Sequence, residues 1–186
     1  ERLGLPVYFS EKEGGAAFLN DRADKKFSDA EILKMLEGVV FLASDTAENL
    51  IKRGFGEYLG VDVRPFEGEY PNVEVIGVNN GRCEVQKNAM ELIPENDDVK
   101  VESMIYHSVD GERLIQLFPG TTVYKNKLGG TVAVFSGTPV TEMNYIEGFS
   151  FLNYSRKQQL IKMLSEMGCL PLYYTGTEEV YLKAGC

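Results

Sequence analysis

The 186-residue sequence is 44% hydrophobic and 25% charged, which suits one ordinary globular domain with a full-sized core. Its formal net charge is −9, and an acidic surface repels phosphate backbones, so nucleic-acid partners are disfavoured. No apolar run approaches the roughly 20 residues a membrane span needs. The three cysteines, Cys83, Cys169 and Cys186, are far apart and offer neither CxxC nor Cys/His zinc spacing, so they read as core thiols rather than metal ligands.

In chain order, Glu1 to Gly4 reads as the last turn of a helix closed by glycine, and Leu5 to Phe9 as a short strand. After a charged turn, Ala16 to Leu19 is a second short apolar run, and Asn20 to Phe27 is a polar loop. Ser28-Asp29-Ala30-Glu31 is a capping-box signature opening a helix to about Glu37, with Ile32, Leu33 and Leu36 on its apolar face. The stretch from Gly38 to Gly60 organises the chain. Val39 to Ala43 reads as a strand covered on both faces, followed by a turn at Ser44–Asp45 and a helix. Asp45 is the expected N-cap, with Glu48 completing a second capping box, and Gly54 is expected to stop the helix in the left-handed region.

From Val61 to about Lys125 the apolar period becomes two. Val73 and Val75 alternate with their neighbours, Asn80-Gly81 signals a hairpin into Cys83–Gln86, and Asp110-Gly111 signals another between a strand near Val99–Ile105 and Leu114–Phe118. Pro119-Gly120 is expected to begin a further turn. Thr131 to Ser136 suits a central strand. Ser155 to Met167 is an amphipathic helix with Leu160, Ile161, Leu164 and Met167 on one side, Arg156, Lys157 and Lys162 on another, and Gly168 as its cap. Leu170–Tyr174 and Val180–Leu182 read as closing strands. The expected architecture is a single α/β domain over 1–186 with a mixed sheet and an antiparallel middle section, cut from a larger multidomain protein.

The segments FSDAEILKMLEGVVFLAS, LGGTVAVFSGTPV, RKQQLIKMLSEM and LPLYY together resemble the class I glutamine-amidotransferase-like domain. They resemble in particular the form called the trimerisation domain of bacterial β-galactosidases and related glycoside-hydrolase-like proteins. The resemblance covers most of the chain in pattern and implies a flavodoxin-like, three-layer domain. It also implies a non-catalytic role in a carbohydrate-active protein, with other domains of the same chain or further copies as partners.

An active amidotransferase of this class carries its cysteine in Gly-x-Cys-x-Gly at the strand-to-helix turn, with a later His-x-Glu. Here the turn reads Leu42-Ala43-Ser44-Asp45-Thr46, and the later strand leads into Phe135-Ser136-Gly137-Thr138-Pro139. Ser44 is therefore read as a turn or capping residue. The alternative is a serine hydrolase with Ser44 as nucleophile and His107, the chain's only histidine, as base. The acidic groups at Glu67/Glu69, Glu95/Asp97/Asp98 and Glu178/Glu179 read as solvated turns rather than glycosidase pairs or a calcium loop. Met143 to Tyr154 is rich in aromatics: Tyr145, Phe149, Phe151 and Tyr154 are read as core, as an interface, or as a platform for carbohydrate. The residues call for no cofactor and no metal, and they assign no compartment.

Overall fold

The strand read from VVFLA forms with the expected bounds, and its burial explains the missing alternation. Val40 and Leu42 enter one core while Phe41 enters another on the opposite face. The computed structural model describes residues 15–20, 22–86, 88–138 and 154–169. The expected strands at 5–9, 170–174 and 180–182 lie outside the described residues, as does most of the aromatic stretch.

The elements are β1 (Ala16–Leu19), α1 (Asp29–Leu36), β2 (Val39–Ala43), α2 (Ser44–Leu50), β3 (Val61–Arg64), β4 (Val73–Ile76), β5 (Gly81–Cys83), β6 (Glu91–Pro94), β7 (Lys100–Ser108), β8 (Leu114–Lys125), β9 (Thr131–Phe135) and α3 (Tyr154–Glu166). Seven strands form one mixed sheet in the order β1-β2-β9-β8-β7-β4-β5, and β3 and β6 form a separate antiparallel pair. β1, β2 and β9 are parallel, and every pairing from β9 through β5 is antiparallel. The chain is thus a mixed α/β domain with a curled seven-stranded sheet, parallel at one end and antiparallel through its middle.

α1 opens with the expected capping box. The Ser28 hydroxyl accepts from the Glu31 N–H, and the Glu31 carboxylate accepts from the Ser28 N–H at 2.7 Å. Ile32 and Leu36 turn inward and join Val40, Leu42, Val132, Val134, Ala47 and Leu50 in the larger core, which the β3–β6 pair closes with Val61, Val63 and Leu92. On the other face Leu160, Met163 and Leu164 of α3 pack on Phe41, Ala133 and Phe135.

Four sequence expectations need correction. Asp45 is not the N-cap of α2: β2 runs straight into the helix, Ala43 holds the capping position in extended geometry, and no side chain caps it. Glu48 pairs instead with Lys52 at 2.7 Å, one turn on. Pro119-Gly120 does not start a turn; β8 continues through it. The register passes from Ser103↔Thr121 to Met104↔Pro119, so the pair sits at a bulge, where a strand tolerates proline. The strand after Asn80 is Gly81–Cys83 rather than Cys83–Gln86. Finally, the buried stripe of α3 is Arg156, Gln159, Leu160, Met163 and Leu164, a helical face that carries a charge.

That charge is fully buried. Arg156 donates to the Glu74 carboxylate, to Gln159 Oε1 at 2.6 Å and to Thr121 Oγ1 at 3.3 Å, and lies over the Phe135 ring. Glu74, also fully buried, accepts from Ser103 Oγ at 2.5 Å. Gly120 makes room for this: a Cβ there would stand 2.6 Å from Glu74 Oε1. Gly54 behaves as expected, with φ of 95° where the chain turns out of α2.

Candidate functional site

In an open α/β sheet, ligands collect where the carboxyl ends of parallel strands meet the following loops. At that place, beyond β2 and β9, lies a cleft of about 510 Å³ whose polar lining includes Arg22, Ser44, Asp45, Glu48 and Asn88, with Phe66 as its aromatic wall.

Four segments supply the side chains named above. β2 delivers Ser44 and Asp45 directly, because α2 begins without an intervening turn. Asp45 uses one carboxylate oxygen locally, accepting from the Thr46 N–H at 2.7 Å and the Thr46 hydroxyl at 3.3 Å. The loop before α1 delivers Arg22. It is held from below by Arg53, whose guanidinium donates to the Asp24 and Phe27 carbonyls, to Asp24 Oδ2 at 3.0 Å and to Asp29 Oδ1 at 2.5 Å. The hydrogen bond to Asp29 first, and then that to Asp24, raises the already high pKa of this guanidinium against a desolvation that would lower it. Asp24 is fully buried and also accepts from Asn49 Nδ2 at 2.5 Å. The Arg22 N–H donates to Thr46 Oγ1 at 3.1 Å, tying the loop to α2, and Arg22 takes a φ of 56°. The third segment carries Phe66, whose ring meets Phe118 of β8 with centroids 4.7 Å apart. Asn88, with φ of 54°, closes the rim.

Ser44 is 1% exposed, and no hydrogen bond engages its hydroxyl among the described residues. One strand over, Ser136 follows Phe135, the residue in register with Ala43; it is fully buried and its Oγ has no partner.

His107 lies elsewhere. Ala43, Phe135, Thr121 and Ser103 share one row across the sheet, and His107 stands on β7 four residues beyond Ser103. Three strand spacings alone separate Ser44 from His107 by roughly 14 Å, far outside hydrogen-bond reach even through one water. The His107 Nδ1 donates to the Tyr70 carbonyl at 2.8 Å, and Nε2 is 4.0 Å from Glu69, so the imidazole fastens the segment before β4. The sheet thus does not assemble Ser44 and His107 as a catalytic pair. Of the aromatic candidates, Tyr154 opens α3 and is largely exposed; Tyr145, Phe149 and Phe151 lie outside the described residues.

Arg22, Phe66 and Asn88 carry no sequence signal. They come from separate loops, and a left-handed arginine or asparagine leaves no mark in composition. The junction itself was legible, since an apolar run ending in Ser-Asp before a helix marks the carboxyl end of a covered strand. No family model, characterised protein or solved structure matches this chain.

Proposed function

We propose that this chain is a non-catalytic domain with an amidotransferase-like, flavodoxin-like frame, serving a larger carbohydrate-active protein of the glycoside-hydrolase-like kind. Its work is to pack against that protein's other parts and to bring copies together. The observation that supports the reading is the strand-to-helix junction at Ser44, which keeps its cleft while the chain's only histidine stands three strands away. A serine without a base in reach is a poor nucleophile.

Support for the assembly part comes from the sheet's end. Among the described residues β1 is an edge strand, and its Phe18 is half exposed while stacked on Phe41 with ring centroids 4.4 Å apart. An edge strand that no described strand covers, with a rigid aromatic on it, is a ready contact surface. Sedimentation velocity over a concentration series tests this. The chain is expected to associate, and Phe18→Glu to leave it monomeric with unchanged circular dichroism. A wild-type chain that stays monomeric throughout, alone and within a longer natural protein, removes the assembly role.

A further inference from the structure

The cleft beside Ser44 holds polar groups for which the structural role above has no use, and the inference below does not rest on that role. Ser44 is almost wholly buried, faces the cleft and has no hydrogen-bond partner among the described residues. The cleft is its one opening to solvent among those residues, so a molecule bound there can supply the hydrogen-bond partner that they do not. The cleft volume of about 510 Å³ falls within the range of small-molecule sites.

The charges select the ligand's class. Arg22 contributes a guanidinium that pairs with no described carboxylate, Asp45 has one oxygen uncommitted, and Glu48 shares its carboxylate with Lys52. Lys52 offsets Glu48 and Arg22 offsets Asp45, so the lining carries no net charge and favours neither a phosphate-like dianion nor a simple cation. A neutral polyhydroxyl molecule uses groups of both signs: its hydroxyls donate to Asp45 and Glu48 and accept from Arg22 and Asn88. Phe66, fixed by Phe118 and by the close approach of Gly68, adds an apolar wall for the C–H face of a sugar ring. We propose that this cleft binds a neutral saccharide of one or two rings.

Calorimetric titration of the 186-residue chain with glucose, galactose, lactose and cellobiose tests the proposal, with inorganic phosphate and glutamine as comparison ligands. At least one saccharide is expected to bind with a dissociation constant of about 1 mM or tighter. Asp45→Asn and Phe66→Leu are each expected to weaken it roughly tenfold, with circular dichroism unchanged. Arg22→Gly separates binding from folding: glycine suits the φ of 56°, so the melting temperature should hold or rise while affinity falls. No heat from any saccharide at about 20 mM overturns the proposal. So does saccharide binding that all three variants leave unchanged, or binding of phosphate or glutamine with no saccharide bound.

Discussion

Arg156 carries a full charge to a position with no solvent contact, and the Glu74 carboxylate waiting there is equally buried. Such a pair is hard to read from sequence. In RKQQLIKMLSEM the arginine looks like part of a polar face, and its partner lies 82 residues earlier in the chain, on β4. Once the pair is seen, the neighbours follow: Gln159 one turn along α3, Thr121 on β8, Ser103 on β7, and glycine at 120 where any Cβ would crowd the carboxylate. Removing one partner strands the other charge in a low dielectric, so Arg156→Met should cost about 3–5 kcal/mol in urea unfolding. Arg156→Met combined with Glu74→Leu should recover part of that loss, because no charge is then left buried. A single-variant cost below about 1 kcal/mol would show that the pair contributes little and that apolar contacts alone dock α3.

At the scale of elements, local chemistry was legible wherever one segment contains its own signal. The α1 capping box, the strand VVFLA and the glycine stop at 54 each depend on residues a few positions apart. Elements that depend on a distant partner were missed or misplaced. The N-cap of α2 moved to Ala43 because β2 enters the helix without a turn, and β8 passes through Pro119 because the bulge against β7 absorbs it. The α1 cap yields a direct test. Ser28→Ala should cost about 1 kcal/mol. The Ser28 hydroxyl and backbone N–H hold the Glu31 carboxyl below its ordinary range. A carboxyl depressed in the folded state stabilises fully above its unfolded pKa, and that stabilisation fades as pH falls through the lower folded value. Wild type and Glu31→Gln should therefore differ in melting temperature near neutral pH and converge in acid, once pH has fallen through the lowered folded value. A gap that persists unchanged into strong acid would mean that the carboxylate charge plays no part in the cap.

The whole molecule joins two unlike halves. The parallel strands β1, β2 and β9, with α1 and α2 against one face, make the frame and place the cleft at its carboxyl edge. The antiparallel run from β8 to β5 extends the sheet and sets His107 three strands to the side of the cleft. The location of the site followed from strand order; its lining did not, because Arg22, Phe66 and Asn88 converge only through folding. Among the described residues no histidine stands beside Ser44, and on the reading proposed above the cleft holds a molecule rather than cleaving one. Labelling the intact chain with a serine-reactive fluorophosphonate, followed by peptide mapping, tests this most directly. Ser44 should stay unmodified under conditions that fully label a serine hydrolase; a stoichiometric adduct on Ser44 would contradict the non-catalytic account.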